Sequence, residues 1–164
     1  MNNSINTEKM IQQETKDFKI TKKIMKKIFS TYGVHVKLEQ TSIYSPYDVL
    51  MTVTSGKKII KKYAVEIKER NQNLEVFDCL PLTCKKFIKV KDTAYKNYLC
   101  PIVIFLVNDE DYYIYDLNKL DLNNVELRNW NIKKVEYSLT SDLTPTPTFF
   151  LPLNQCIYNG QIPH

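Results

Sequence analysis

The feature that most constrains how this chain folds is the uninterrupted apolar run at residues 101–107, Pro-Ile-Val-Ile-Phe-Leu-Val. A strand at a surface alternates apolar and polar residues, whereas a strand covered on both faces is apolar throughout. We therefore predict a buried strand here, in a sheet that other elements cover on both sides. The chain has 164 residues and is 43% hydrophobic, which is enough for one sizeable core, so we predict one domain.

Two segments have the apolar spacing of helices that would supply this cover. Residues 8–31 repeat apolar side chains at helical intervals, and Gly33 can end that helix with a positive φ. The second helix begins after Thr83, whose hydroxyl can accept a hydrogen bond from the first turn, and runs to about residue 98. We expect one helix before the main strands and one between them.

The other extended runs predict strands. Residues 47–54 and 59–68 are β-branched-rich runs on either side of Ser55-Gly56-Lys57-Lys58, which predicts an antiparallel hairpin. Further strands are predicted at residues 34–38, 74–79 and 112–117. This order indicates an α/β (α+β) fold with a mixed β-sheet flanked by helices.

The ends of the chain are less regular. The Asn- and Ser-rich residues 1–7 predict a disordered N-terminus, and residues 8–122 contain the predicted core. Beyond Leu122 the pattern weakens, Thr144-Pro145-Thr146-Pro147 must be extended, and residues 149–153 are apolar enough to dock onto the body. We therefore expect residues 123–164 to form a C-terminal extension that packs on the core.

Charge is distributed unevenly along the chain. Residues 1–100 hold 19 Lys and Arg against 10 Asp and Glu, a balance of +9, while residues 101–164 hold 4 against 8, a balance of −4. A basic face attracts phosphates whatever the nucleotide sequence, although lysine-rich helix faces are more often simply solvated. The basic part of the chain therefore predicts DNA as a partner through its phosphate backbone.

Several classes of function lose support. The chain has no phosphate-binding glycine loop, no zinc-protease motif, no serine-hydrolase motif, and one internal histidine, His35. Its four cysteines form no C-x-x-C pair, which is typical of reduced thiols in the cytoplasm. We find neither a membrane span nor a signal peptide, so we expect no membrane association.

Three residues of the predicted hairpin suggest chemistry. If residue 55 faces residue 59, paired positions sum to 114, so Asp48 lies opposite Glu66, with Lys68 on the same face. Two adjacent carboxylates repel unless a cation lies between them, and Mg²⁺ favours one or two carboxylates with water and phosphate oxygens. Lys68 could orient the attacking water or stabilise developing charge.

The acid-x-Lys pattern alone is weak evidence. Chance predicts 18 × 21/164, or about two occurrences, and the chain has three, at residues 14–16, 17–19 and 66–68. Only the last lies on a strand that follows an earlier Asp across a hairpin. With Pro46-Tyr47-Asp48, the following helix and the buried strand, it resembles the PD-(D/E)xK nuclease superfamily, and within it small bacteriophage and mobile-element proteins.

That resemblance implies a restriction-endonuclease-like αβββαβ core and a Mg²⁺-dependent DNA endonuclease, with Mn²⁺ as a substitute. It implies metal binding by Asp48, Glu66 and the Ile67 carbonyl, with Lys68 catalytic. Pro46 and Asp48 are separated by Tyr47, whereas the family pattern has them adjacent. If the chain is encoded by a phage, its location would be the host cytoplasm or the virion.

Two more polar residues interrupt apolar helix stripes. Lys91 lies within the stripe of the second helix, where it either reaches the carboxylates or the scissile phosphate as a catalytic residue or extends past Phe87 and Tyr95 to water. Glu14 interrupts the stripe of the first helix and is a candidate additional metal ligand. Both readings of each residue stay open at this point.

Two alternatives to catalysis also stay open. The chain could be a non-catalytic module that binds nucleic acid or another phage protein, or its carboxylates could simply pair with surface lysines. The sequence does not decide between DNA and RNA, the strandedness or sequence specificity of the substrate, or whether the chain forms a homodimer.

The charge balance predicts that affinity for DNA falls steeply as salt rises, because each phosphate contact releases counterions. Changing four helix lysines, Lys22, Lys26, Lys85 and Lys89, to Gln should reduce the slope of log affinity against log salt by up to about four. Fluorescence anisotropy with a labelled oligonucleotide at several salt concentrations measures this slope. A salt-independent affinity would indicate a protein partner instead.

Overall fold

The computed structural model describes residues 2–42, 44–133 and 143–163, with side chains at 8, 11–42, 44–131 and 144–163. Two helices and nine strands lie in these ranges. In chain order they are α1 (Asn2–Ser30), β1 (His35–Gln40), β2 (Val49–Ser55), β3 (Lys58–Arg70), β4 (Cys79–Thr83), α2 (Cys84–Lys96), β5 (Cys100–Val107), β6 (Asp111–Asp116), β7 (Glu126–Lys133), β8 (Leu143–Pro152) and β9 (Tyr158–Gln161).

The larger sheet has six strands in the order β1-β2-β3-β5-β6-β9. β3 and β5 pair in parallel and the other neighbours are antiparallel. The chain between β3 and β5 contains β4 and α2, which form the crossover that a parallel pair requires. With only the strands of the larger sheet counted, the order is helix, three strands, helix, strand, as expected of a restriction-endonuclease-like core, so the predicted fold class is confirmed.

The predicted burial of residues 101–107 is confirmed, because every one of them is buried in β5. Ile102, Ile104 and Leu106 join the core that α1 covers. Val103, Phe105 and Val107 join a second core on the opposite face, with Phe87 and Val90 of α2. The apolar run therefore divides its side chains between two cores.

The smaller sheet has three strands in the order β4-β8-β7, and it belongs to the second core through Leu80, Leu82 and Leu151. The predicted strand at residues 74–79 is wrong in position, because residues 74–76 form a turn and β4 begins at Cys79. The backbone N–H groups of Val76 and Phe77 bond to the Asn73 carbonyl, which closes the turn.

Other boundaries shift by a few residues. α1 begins at Asn2, six residues before its predicted start, and α2 ends at Lys96, near the predicted end. β8 pairs with β4, and β9 pairs with β6. The division of the chain at residues 7 and 122 stays a prediction. No helix in the described ranges is long and apolar enough to span a membrane.

The β2–β3 hairpin reaches the predicted register by a different route. Ser55 pairs with Lys58 across a two-residue turn, so the strands start with positions that sum to 113. A β-bulge at Ile60 adds one residue, and Val53 then pairs with Lys61, which restores the sum of 114. The paired register ends at Val49 and Val65, and Asp48 N–H donates to the Val65 carbonyl at 2.9 Å, one position short of its predicted partner Glu66.

Gly56 sets this turn. Its φ is +56°, and an added Cβ would meet no heavy atom within 4 Å, so a side chain there costs conformational free energy without a clash. We expect Gly56→Ala to lower the free energy of unfolding by about 1 kcal/mol and Gly56→Asn by less, because Asn tolerates positive φ better. Urea melts of the three proteins measure this, and equal losses for Ala and Asn would contradict it.

Candidate active site

Glu66 is the most deeply buried carboxylate among the described residues, with 1% of its surface exposed. It lies in β3 on the face that α2 covers, beside Val103 of β5. Its Oε1 atom lies 2.8 Å from Lys68 Nζ and 2.9 Å from Lys86 Nζ. Neither oxygen has a hydrogen-bond partner in the described part of the chain, so the two contacts of Oε1 are ion pairs and Oε2 has a contact of neither kind. One oxygen of a buried acid is thus neutralised and the other is left open.

Asp48 lies just before β2, close enough to Glu66 for the two carboxylate charges to interact. Its Oδ2 atom accepts a hydrogen bond from Ile67 N–H at 2.7 Å, which fixes the carboxylate against β3. Burial, and after it the neighbouring charge of Glu66, raise the pKa of Asp48 to about 6, although the hydrogen bond from Ile67 and the charges of Lys68 and Lys86 oppose the shift. The raised pKa shows that nearby positive charge only partly offsets the negative charges of Asp48 and Glu66.

Two lysines close the site from different elements. Lys68 comes from β3, two residues after Glu66, and Lys86 comes from the first turn of α2. Thr83 accepts a hydrogen bond from Lys86 N–H at 3.3 Å, so the helix cap positions the residue that reaches Glu66. The two side chains are 28% and 27% exposed, so both ammonium groups lie between the buried acid and solvent.

Sequence reasoning missed Lys86, because it falls outside the apolar stripe of α2. Its position three residues after the N-cap was the available signal, since that turn adjoins the sheet. Of the two readings of Lys91, contact with the carboxylates is absent among the described residues. Its Nζ donates to the Leu117 carbonyl at 3.1 Å and lies 5.2 Å from the Phe87 ring centre, more than a turn farther along the helix.

A cleft of about 380 Å³ opens beside Asp48, between α1 and the ends of β1 and β3. Its lining includes four acids, Glu14, Asp17, Asp48 and Glu69, and two bases, Lys68 and Arg70. Glu14 therefore shares a cavity with Asp48 and Lys68, as expected of an additional acid near the site. The structure shows no direct contact between Glu14 and either hairpin carboxylate.

Asp17 is a second acid of α1 in this cleft. No feature of the surrounding sequence had marked it as a site residue. Burial raises its pKa to about 6, and the nearby charge of Glu69 adds to the shift. Gln13 donates a hydrogen bond to it at 2.9 Å. Lys16, on the same helix, pairs with Asp109 at 2.7 Å and approaches Glu69 at 3.9 Å, so this end of the cleft is bordered by charge pairs.

The chemistry of the donors fits a hard cation such as Mg²⁺. Glu66 offers a buried oxygen without a partner, and Asp48 offers a second carboxylate at the mouth of the cleft. Mg²⁺ is commonly held by one or two carboxylates, with water and substrate oxygens completing its shell. Among the described residues no three His, Cys, Asp or Glu side chains form a metal-holding group, and the four cysteines are free. The arrangement does not suit a closed zinc site.

Comparisons with known proteins give likenesses of structure alone. No protein-family model matches the chain, and no curated protein sequence is similar to it. One similar solved structure is Hjc, a Holliday junction resolvase from Archaeoglobus fulgidus, with TM-score 0.46 and 11% identity over 82% of this chain and 93% of that one. Another is D212, a nuclease from a fusselovirus, with TM-score 0.43 and 13% identity over 93% and 85%.

The raised pKa of Asp48 predicts a pH-dependent cost to stability. An acid whose pKa is higher in the folded chain than in the unfolded chain destabilises the fold once it ionises, so stability falls as pH rises from about 4 to above 6. Without divalent metal, we expect Asp48→Asn to be more stable than the wild type by about 2 kcal/mol at pH 8 and by nothing at pH 4. Urea melts at the two pH values measure this.

Asp92→Asn is the matched control, because Asp92 is exposed and pairs only with Lys96 within α2 among the described residues. It should change stability by less than about 0.5 kcal/mol at either pH. A loss of stability in Asp48→Asn at pH 8 would show that the ionised carboxylate is well compensated, contrary to the geometry.

Proposed function

We propose that this chain is a nuclease that hydrolyses phosphodiester bonds of DNA with the help of Mg²⁺. The observation that carries the proposal is the buried Glu66 carboxylate near Asp48, with two partly exposed lysines paired to Oε1 and no polar partner for Oε2 among the described residues. Such an arrangement contributes little to the stability of the fold, because the free energy of burying a charge is larger than the free energy gained from an ion pair. A site for phosphate chemistry, in contrast, uses a buried carboxylate with lysines beside it.

Asp48 and Glu66 would hold the cation through their side chains, with the Ile67 carbonyl and Glu14 as further candidate ligands. A divalent cation supplies Lewis-acid chemistry, because it activates water and offsets the negative charge of the phosphate. The acid pair raises its own affinity for the cation, since the repulsion that raises the pKa of Asp48 is relieved when positive charge lies between the carboxylates.

Lys68 and Lys86 act on the substrate side. Each ammonium has donors beyond its contact with Glu66 Oε1, and each is exposed enough to meet a phosphate oxygen. Hydrolysis adds water across one P–O bond and leaves a phosphate monoester and a hydroxyl group, with negative charge growing on phosphorus-bound oxygens. Lysines fixed by Glu66 before the substrate arrives stabilise that charge without reorganising.

DNA would approach along the basic part of the chain. Lys85 and Lys89 are exposed on α2, and Lys86 turns from the same helix into the site. Backbone phosphates bound by exposed lysines give affinity without sequence preference, while the buried acids decide where a bond is cut.

A second function is favoured by one observation. Glu66 is already paired with two lysines, and a closed ion network of this kind could serve a module that binds nucleic acid without cutting it. The two functions differ in metal binding. A non-catalytic module does not require a cation between Asp48 and Glu66.

We expect Glu66→Gln and Asp48→Asn to lose Mg²⁺ binding and to lower metal-dependent nicking of plasmid DNA by about 100-fold or more. Lys68→Met should keep Mg²⁺ binding and lower the rate, because its charge acts mainly in the transition state. Calorimetric Mg²⁺ titration beside a nicking assay measures both quantities.

Lys89→Met is the matched control, since Lys89 is an exposed lysine of the same helix as Lys86. It should cut at nearly the wild-type rate. If the wild type binds no Mg²⁺ and Glu66→Gln binds DNA as tightly as the wild type, the non-catalytic function is correct. If all variants cut equally, the activity does not belong to this site.

A further inference from the structure

A second cavity, of about 620 Å³, lies on the other side of Lys68 and Arg70, between the end of β3 and the smaller sheet. Its size is within the range of about 300–1,000 Å³ typical of pockets for small ligands. Besides Lys68, Arg70 and Lys86, the side chains used below are Asn73, Phe77, Trp130 and Asn131.

The two cavities differ in charge. The cleft beside Asp48 has four acids and two bases in its lining, whereas the second cavity has three bases, Lys68, Arg70 and Lys86, and no acid. The first suits a cation and the second suits an anion. Lys68 and Arg70 line both, so a ligand that carries a phosphate at Lys68 can extend into either cavity.

Lys68 and Lys86 connect the second cavity to the chemistry. Both contact Glu66 Oε1, at 2.8 and 2.9 Å, and both form a wall of the second cavity. A phosphate held by these ammonium groups therefore lies at the border between the buried acid and the cavity. The nucleotide next to that phosphate along a nucleic-acid strand can then enter the cavity.

The far wall carries an aromatic surface. Trp130 is 38% exposed and lines the cavity, and its ring centre lies 5.0 Å from that of Phe150. The Arg128 guanidinium lies 4.0 Å from the Phe150 ring centre and 5.7 Å from that of Trp130, so cation–π contacts fix the indole. A fixed and partly exposed indole is a surface on which a nucleic-acid base can stack.

Other lining groups suit the edges of a base. Phe77 adds a second partly exposed aromatic ring, at 43%. The amide of Asn131 makes no hydrogen bond to the described residues, and Asn73 uses its Oδ1 for Glu75 N–H, which leaves its two N–H donors. Donors and acceptors of this kind recognise base edges when the base is unpaired.

We propose that this cavity binds an unpaired nucleotide of the DNA substrate, with its base against Trp130 and its phosphate between Lys68 and Lys86. This rests on the proposed nuclease function and names its substrate class: DNA with unpaired nucleotides, such as single strands, flaps or branch points. An intact duplex keeps its bases stacked within the helix and cannot fill the cavity without extruding one, which costs a few kcal/mol.

Trp130 is the sole tryptophan of the chain, so its fluorescence reports directly on the cavity. In EDTA, wild-type protein is titrated with a short single-stranded oligonucleotide and with an abasic strand of the same length and charge. We expect the first to quench the fluorescence and to bind about tenfold more tightly than the second, because stacking on an aromatic residue contributes that much per base. The abasic strand should bind without quenching.

The variant Trp130→Leu keeps an apolar side chain against Phe150 and removes the stacking surface. We expect it to bind both labelled strands with the affinity that the wild type has for the abasic strand, as measured by anisotropy. Tyr95→Leu is the matched control, because Tyr95 is 84% exposed on α2 outside the cavity, and it should keep the preference for bases. A thermal melt checks that each variant is folded.

Cleavage in Mg²⁺ separates the two proposals. If the cavity has the proposed role, the wild type cuts single-stranded DNA faster than duplex. Trp130→Leu then loses most of the cleavage rate on single-stranded DNA and cuts duplex at the wild-type rate. The cavity proposal is overturned if the wild type binds both strands equally and without quenching, even where Glu66→Gln abolishes cutting. The nuclease proposal fails if Glu66→Gln cuts like the wild type, whatever the fluorescence shows.

Discussion

The charge of Glu66 is the constraint on which the rest of the structure depends. A carboxylate that is 1% exposed loses nearly all its hydration, which costs several kcal/mol unless nearby charge replaces it. Lys68 and Lys86 supply that replacement from β3 and from α2. The start of α2 is therefore tied to the sheet by charge as well as by the packing of Phe87 and Val90. A substitution at Glu66, Lys68 or Lys86 therefore also alters the contact that holds the start of α2 against the sheet.

The same constraint organises the surfaces around it. Lys68 and Lys86 cover Glu66 from solvent, and Lys68 and Arg70 separate an acidic cleft from a basic cavity. Arg70 is held in this wall by the Pro81 carbonyl at 3.1 Å and by the Phe105 ring. The basic cavity attracts the phosphates of a polyanion and the acidic cleft repels them. The opposite charges on the two sides of this wall therefore orient a bound polyanion.

The local parts of this arrangement could be predicted from the sequence. Apolar spacing located both helices, and the run at residues 101–107 located the doubly covered strand. The predicted hairpin register is correct beyond the bulge, but the route to it was not predicted. The turn is one residue shorter than expected, and the extra residue Ile60 in β3 restores the register. The predicted opposition of Asp48 and Glu66 lies one position beyond the paired strands, because Asp48 N–H bonds to the Val65 carbonyl.

The parts that depend on contacts distant in sequence were missed. Lys86 meets Glu66 only because α2 crosses back over β3, and Trp130 reaches the far wall of the second cavity through the pairing of β7 with β8. Lys86 had only its position after the Thr83 N-cap to mark it, and Trp130 had no local pattern at all. Lys91 shows the reverse error, since its place in the apolar stripe was clear but the carbonyl of Leu117 lay nearer than the acids.

The prolines of β8 bear on how copies of this chain can meet. Pro145 and Pro147 pair with β7, at positions where β4 has already ended at Thr83. A proline in a sheet is tolerated where its nitrogen faces away from the ladder, so this free edge of β8 lacks N–H donors at two alternate positions. An edge that lacks donors at alternate positions pairs poorly with a strand from a second molecule, so the prolines protect this part of β8 from ribbon-like aggregation. That protection covers this edge alone, since the outer strands β1 and β9 of the larger sheet contain no proline.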